Sequence, residues 1–296
     1  MILVTIVIST HNRPALLRRA VDSALDQPLG GTAGGSIEVV VVDDGSEPPV
    51  ELAPNERLRL IRQSSGGVAA ARNTGLSAAR GSFVTYLDDD DVLTKGALRR
   101  ALEAQASSTL KAPVAVLAAL DEMTIDGTFL KRRLPPTLAA GTPFPLVELA
   151  DGRSHGVKQT LVVPTAVLRD IGGWDSTFRS RVTTELFMRL GEVCSFEGID
   201  ECGYQLTVHD GVRISGDPQV RQQSWKRLVS THSERMSEHS KGAAALALGH
   251  ARMSWLQNER RAALVAVMQA MRWSTRRTVR GTVRAIGDVA RRRDVS

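Results

Sequence analysis

What most constrains the fold of this chain is a pattern repeated three times in its first ninety-odd residues: an apolar, β-branched-rich run that stops at a polar cluster. Ile2–Ser9 leads into His11-Asn12-Arg13-Pro14. Ile37–Val42 stops at Asp43-Asp44-Gly45-Ser46, and Phe83–Leu87 runs into Asp88-Asp89-Asp90-Asp91. Apolar runs without alternation read as strands buried on both faces, which is a property of parallel sheets covered by helices. Helical signals lie between them. Pro14 suits a first helical position, and Leu17, Ala20, Val21, Ala24 and Leu25 recur at helical spacing. Gly30, Gly31, Gly34 and Gly35 form a turn, Leu58–Arg62 is a short strand, and Gly66-Gly67 opens a helix over Ala69–Ala79 that Gly81 closes. This β-α-β-β-α-β order predicts an α/β, mostly parallel sheet with helices on both faces. Ligands of such sheets collect at the carboxyl ends of the strands. All three polar clusters, Ser9–Asn12, Asp43–Ser46 and Asp88–Asp91, fall there.

With 296 residues, 42% of them hydrophobic, the chain has enough Val, Ile, Leu and Ala to bury a sizeable core, which excludes disorder as its main description. Cys194 and Cys202 fit neither a disulfide framework nor a close metal-ligand spacing and read as buried, reduced thiols. No basic leader region precedes Ile2–Ile8, and no stretch approaches the ~20 apolar residues that span a bilayer. A soluble, cytoplasmic protein, or one peripheral to the inner face of a membrane, is expected.

The pattern becomes mixed after residue 110. Pro113–Leu120, Thr160–Val163 and Tyr204–Val208 read as strands, Thr165–Ile171 and Thr184–Gly191 as helices, and Thr137–Gly156 as a loop. From Gln219 strand signals stop. Ser224–Met236, Lys241–Gln257 and Glu259–Trp273 read as helices, with Leu246, Gly249, His250 and Met253 on one face and Ala263, Val267 and Ala270 on another. The expected organisation is two halves of one α/β domain, 1–110 and 111–218, followed by a helical extension, 219–296.

Four consecutive aspartates repel one another unless they are solvated or neutralised by a cation. On their own they are also compatible with an acidic loop or a helix cap. Their carboxylates are hard oxygen ligands of the kind Mg²⁺ or Mn²⁺ takes one or two at a time, with water and phosphate oxygens completing the shell. Asp43-Asp44-Gly45-Ser46 on its own reads as a turn; at a strand end facing the same cleft, its carboxylates could also accept hydrogen bonds from a base N–H or ribose hydroxyls. Arg72, on the following helix, reads equally as an ordinary surface arginine or as a guanidinium offered toward phosphate oxygens.

Five segments taken together, Thr5–Asn12 (TIVISTHN), Val40–Ser46 (VVVDDGS), Ala71–Gly75 (ARNTG), Ala79–Phe83 (ARGSF) and Tyr86–Asp91 (YLDDDD), resemble the family 2 glycosyltransferases of GT-A fold. The resemblance covers roughly residues 2–215, strongly to Leu93 and more loosely beyond. It implies a nucleotide-diphosphate-sugar donor, a divalent cation (Mn²⁺ or Mg²⁺) and transfer of a glycosyl group with inversion. It implies that Ser9, Thr10 and His11 line the base pocket and that Asp44 binds base or ribose. Asp88–Asp90 match the family's Asp-x-Asp, with Asp90 the direct metal ligand and Asp89 near ribose and diphosphate. Ile171–Asp175 (IGGWD) resembles the segment bordering the acceptor, and Leu206–Ser215 (LTVHDGVRIS) the closing segment, where a His completes the metal shell, which makes His209 a candidate ligand.

One departure matters. Leu186–Leu190 (LFMRL) matches the family helix, but the Glu-Asp expected before it, whose Asp is the general base, falls on Val182-Thr183. A threonine hydroxyl is no base near neutral pH. Three outcomes follow: Glu185 takes the role, His155 or Asp210 supplies it, or catalysis is weak or absent and the chain is a sugar-nucleotide-binding protein. Glu185 is the first choice.

The net charge of +6 is localised. Residues 252–296 hold 11 basic and 3 acidic residues, a net of +8; residues 1–251 hold 27 and 29, a net of −2. Val279, Val283, Ile286 and Ala290 share a helical stripe flanked by Arg277, Arg280, Arg284 and Arg291, which reads either as a solvated Arg-rich helix or terminus or as membrane-surface binding by residues 274–296; the latter suits a lipid-linked acceptor, while a glycan acceptor is equally expected of the domain. Nucleic-acid binding is not expected, since no aromatics interleave the basic residues and no recognition module is present.

Overall fold

The computed structural model describes residues 1–29, 35–150, 152–208 and 217–279. It divides into a sheet unit, Met1–Thr142 with Leu149–Val212, and a helical unit, Pro143–Glu148 with Arg213–Ser296. Both halves expected before residue 218 share one sheet.

The sheet unit contains β1 (Ile2–Thr10), α1 (Pro14–Leu25), β2 (Ser36–Asp43), β3 (Leu58–Arg62), α2 (Val68–Ala78), β4 (Phe83–Asp88), β5 (Val92–Leu93) and α3 (Ala97–Ser107). It continues with β6 (Val114–Thr124), β7 (Phe129–Arg133), β8 (Val162–Pro164), α4 (Thr165–Asp170), α5 (Val182–Val193) and β9 (Ser195–Val208). The described strands form one nine-stranded sheet in the order β3-β2-β1-β4-β8-β6-β9-β5, with β7 on β6. Strands β3-β2-β1-β4 are parallel throughout, and β6 and β9 are parallel to each other. The joins β4–β8, β6–β8, β6–β7 and β5–β9 are antiparallel, so the sheet is more evenly mixed than its first strands suggest.

Val4, Ile6, Ile8, Val39, Val40, Val41 and Val42 are wholly buried, as runs covered on both faces must be. α1 starts at Pro14, whose missing N–H costs a first turn nothing, and buries Leu17, Ala20, Val21 and Ala24. α2 sits very close to β1, because a Cβ on Gly75 would lie 2.2 Å from Val7 Cγ1. Only glycine permits that approach, and it carries Arg72 over the strand ends.

Three elements carried too weak a signal to be read beforehand. α3 buries Ala97, Leu98, Ala101 and Leu102, but its small alanines blur the apolar stripe. β7 is almost entirely exposed and exists by pairing with β6. The first half of β9, SFEGIDECG, mixes polar and apolar residues because it pairs β6 through register shifts.

The helical unit contains α6 (Pro218–Thr231), α7 (Ser233–Glu238), α8 (Ser240–Leu256) and α9 (Arg260–Trp273). Phe144 and Leu146, expected in a loop, form a buried 3₁₀ turn that belongs to it. The face of α8 differs from expectation. His250 is buried, but Met253 is 46% exposed, and the packed residues are Ala243, Ala247, Ala251 and Ser254. Small side chains let backbones approach, so Ala263, Ala266 and Ala270 of α9 are likewise the buried ones. No described helix is long and apolar enough to cross a membrane.

Candidate active site

Strand register gathers the polar clusters. On β1, Thr10 pairs with Asp43 of β2 and Ser9 with Asp88 of β4, so the three clusters meet at the carboxyl ends of adjacent parallel strands. Ser9 is half-buried, Thr10 buried and His11 exposed.

The two carboxylates after β2 are both spoken for. Asp43 is 1% exposed; it accepts from the backbone N–H of Ser46 at 2.8 Å and of Val50 at 3.2 Å, and from Arg62 Nη1 at 3.1 Å. Burial alone would raise its pKa, but these hydrogen bonds and the Arg62 charge outweigh it and hold the carboxyl below its ordinary range. Asp43 therefore fastens its own turn with both of its oxygens. Asp44 accepts from Gln63 Nε2 and Gly66 N–H on Oδ1 and from Gly67 N–H on Oδ2, each at 2.8 Å. It ties the end of β2 to the turn that starts α2. His11 Nδ1 lies 2.9 Å from the Asp44 carbonyl, which sets the ring beside that turn.

The aspartate quartet divides by environment. Asp88 is the most open, its side chain 34% exposed, and it accepts from Arg72 Nη2 at 2.6 Å. Asp89 is buried. It accepts from Thr10 Oγ1 at 2.7 Å and from Arg13 Nη1 at 3.2 Å. Burial pushes its pKa up to about 6, against the pull of Thr10 and Arg13 and with the push of Asp90 and Asp88. Asp90 pairs with the same Arg13 nitrogen at 2.8 Å. Asp91 turns away from the others, accepting from Thr207 N–H at 2.7 Å and Tyr204 Oη at 2.8 Å; burial, then Asp88 and Asp90, raise its pKa. Tyr204 Oη in turn accepts from the Asp88 N–H at 3.1 Å, so β9 braces the quartet.

Arg13 and Tyr204 were given no role from the sequence, and Asp91 none of its own within the quartet. The signal for Arg13 was there in the His-Asn-Arg-Pro step after β1, opposite four like charges that need a counterion. Tyr204 carried none, because its partners lie more than a hundred residues away.

Across the cleft the controlling contacts are side-chain clamps. Asn73 Nδ2 donates to the Trp174 carbonyl at 2.7 Å, and the Trp174 N–H donates to Asn73 Oδ1 at 2.8 Å. Gly173 has φ +67°, and a Cβ there would sit 2.5 Å from Asn73 Oδ1, so both backbone conformation and space require glycine. The buried Trp174 ring meets Tyr86 edge-on at 4.9 Å and carries the Arg72 guanidinium 4.4 Å from its centroid. Arg72 is therefore placed by Asp88 and Trp174 together.

Glu185, the expected base, is 2% exposed. Its two oxygens accept from Arg189 Nε and Nη2, each at 2.7 Å. The same guanidinium donates to the carbonyls of Ile171 at 2.7 Å and Gly173 at 2.8 Å. Glu185 thus neutralises an arginine that holds the Gly172-Gly173-Trp174 loop, and this geometry speaks against its removing a proton from an acceptor. Thr183, in the position of the expected base, lines a narrow cleft with Arg72, Asp88, Lys158, Gln159 and Trp174. His155 begins the 3₁₀ turn that carries Lys158. His209 and Asp210 lie outside the described residues.

Among the described residues no three His, Cys, Asp or Glu side chains cluster as a complete metal shell. Asp88 and Asp90, engaged here by Arg72 and Arg13, are hard oxygen donors of the kind Mg²⁺ or Mn²⁺ takes one or two at a time when phosphates supply the rest.

Residues 5–124 match the family model described as glycosyl transferase family 2. The succinoglycan biosynthesis protein ExoO of Rhizobium meliloti is 38% identical over 133 residues, 43% of this chain and 36% of that protein. A pre-mycofactocin glycosyltransferase of Mycobacterium tuberculosis is 34% identical over 197 residues, 64% of this chain and 39% of that one. The chain thus spans well under half the length of these curated relatives. Among solved structures, S. aureus TarS in complex with UDP-GlcNAc superposes with a TM-score of 0.56 at 16% identity, over 97% of this chain and 92% of that one, which is a likeness of fold. The strand-end clusters at Thr10, Asp44 and Asp88–Asp90 all fall inside residues 5–124, the segment that is similar to glycosyl transferase family 2, on an α/β fold of GT-A type.

Proposed function

We propose that the protein transfers a sugar, with inversion, from a nucleotide-diphosphate-sugar donor to a glycan or lipid-linked acceptor, using a divalent cation held by Asp90 and His209, with Asp88 and Asp89 toward the nucleotide sugar. The observation that carries this reading is the register that brings Thr10, Asp43 and Asp88 to three adjacent strand ends, with the Asp44 N–H donating to the Thr10 carbonyl at 2.9 Å. Ser9, His11 and Asp44 border the nucleoside. Arg72 supplies a fixed positive charge toward the diphosphate, and its seat on Trp174 keeps it from swinging into solvent. The cation, when bound, neutralises the charge that develops on the leaving nucleoside diphosphate. Asp89, whose pKa burial raises to about 6, would be held more firmly in its ionised form by positive charge added beside Asp90.

A second reading is favoured by one observation. Thr183 stands in the base position, and both Glu185 oxygens are held by Arg189, so the chain binds a sugar nucleotide and turns it over weakly or not at all. One experiment separates the two. Thermal shift with a panel of nucleotide sugars and Mn²⁺, headed by UDP-sugars because TarS structures hold UDP and UDP-GlcNAc, is followed by assay of donor hydrolysis and transfer. A donor-dependent shift with turnover that vanishes in Asp90→Ala supports the transferase. A shift without turnover for any pair supports the binding protein, and no shift with any nucleotide overturns both.

The Arg-rich residues 274–296 complete the proposal with a peripheral contact to an anionic membrane at the cytoplasmic face, where lipid-linked acceptors present their head groups.

A further inference from the structure

We infer that α9, with the end of α8, forms an apolar face that seats the protein on an anionic phospholipid surface. This rests on the membrane-contact reading above but moves the contact from the terminal arginines onto a folded helix. Of the fifteen large apolar side chains exposed among the described residues, eight lie between Met253 and Val279. Leu264, Val265, Met268 and Met271 stand on the side of α9 opposite its packed alanines, Ala263, Ala266 and Ala270, and each is 45% exposed or more. Met253, Trp255 and Leu256 extend the exposed apolar set to the turn before α9. Four large apolar side chains on one helix face are costly to leave in water, and a soluble surface rarely gathers so many.

Charge selects the occupant. No acidic residue occurs between Glu259 and Asp288, a stretch that includes Arg260, Arg261, Arg272, Arg276 and Arg277. Arg277 pairs with Glu148 in the helical unit. Arg260 stacks 3.7 Å over the Trp255 ring, an aromatic–cation pair of the kind that lies at head-group level. A second copy of this face would bring arginines against arginines, and the segment after Val279 carries five arginines against two aspartates, so neither complements it. An anionic leaflet satisfies the apolar face and the charge together.

The test is flotation of the full chain with vesicles of phosphatidylcholine and phosphatidylglycerol, against phosphatidylcholine alone. Three variants accompany the wild type: L264E/M268E, L264S/M268S as a milder form should the first fail to fold, and a full-length protein with Arg280, Arg284, Arg291, Arg292 and Arg293 changed to Gln. The wild type is expected to float with the anionic vesicles only, with a blue shift in emission that W255F abolishes. Either pair of α9 substitutions is expected to lower the bound fraction about tenfold, and the glutamine variant to retain binding. If only the glutamine variant loses flotation, this inference is overturned and the terminal contact stands. If the wild type never floats, both contacts fail while the transferase reading is untouched. If the α9 substitutions leave flotation unchanged and dissolve a dimer seen by light scattering, the face belongs to a second copy.

Discussion

The two sides of the cleft in the sheet unit are held by different means. On one side the backbone does the placing. Thr10, Asp43 and Asp88 meet because three parallel strands are in register, and their side chains then fasten the adjoining turns. On the other side single side chains do it: Asn73 grips Trp174 at both backbone atoms, and Arg189 spans Glu185 and the carbonyls of Ile171 and Gly173. A ladder spreads its positional energy over many hydrogen bonds, whereas a clamp concentrates it in two or four. The first should therefore tolerate side-chain loss with chemistry alone affected, and the second should lose geometry.

The sharpest break of this contrast is Asp90→Ala. It removes charge from a site that β4 positions regardless, so kcat/KM for transfer is expected to fall about a thousandfold or more while the melting temperature stays close to wild type. Initial rates against donor concentration measure the first and calorimetry the second. Turnover within a few-fold of wild type would remove Asp90 from the chemistry.

Glu185→Gln comes next, because it reports on both sides at once. As a general base Glu185 would contribute roughly 10²–10⁴ in rate, and its loss would erase the acidic limb of the kcat/KM profile. As the partner of Arg189 in a buried pair its loss costs about 3 kcal/mol of stability and leaves that limb in place. The bidentate geometry favours the second outcome. A pH–rate profile with the limb missing would restore Glu185 as the base.

The same contrast explains what could be read from the sequence. Strand runs ending in Asp43-Asp44 and Asp88–Asp91 write their position into local pattern, because burial on both faces forces continuous apolar residues and the strand end forces polar ones. Asp43 shows the limit of this. Its place at the strand end was legible, but not that Ser46, Val50 and Arg62 would consume its carboxylate. Glu185 was read as the nearest carboxylate to the vacant base position, whereas Arg189, one helical turn on, claims it. In the helical unit the alanine face of α8 misled a reading by Leu246 and Met253, whereas Ala263 and Ala270 of α9 were read on the face that packs, since close backbone approach selects small residues and leaves Leu264 and Met268 outside.

Asn73→Ala is a smaller break of the clamp side. It strips Trp174 of a donor and an acceptor in a part-buried place, costing about 1–3 kcal/mol by thermal or denaturant unfolding. It also frees the loop that seats Arg72, so KM for donor is expected to rise more than kcat falls. Unfolding unchanged within error would show that Gly172-Gly173-Trp174 is held by Arg189 alone.

The smallest effect comes from Lys158, and it is read through pH. Its ammonium turns inward toward the His155 carbonyl; burial, then Arg133 and Arg181, lower its pKa from 10.5 to about 8. Below about 8 the lysine is charged in folded and unfolded chains alike, and the folded state bears the full penalty of holding that charge. Between about 8 and 10.5 the folded chain has released the proton while the unfolded chain still binds it, so wild-type stability climbs with pH. Above that window the penalty is gone. Lys158→Met, similar in volume and uncharged, should therefore be more stable than wild type near neutral pH. The gain is about 1 kcal/mol, less than the full shift implies because the side chain is only half-buried. The advantage should shrink to nothing as pH rises through the window. Paired melting curves across that range check it, and a pH-independent difference would mean that Lys158 acts through packing and that the positive charge on this side of the cleft is solvated.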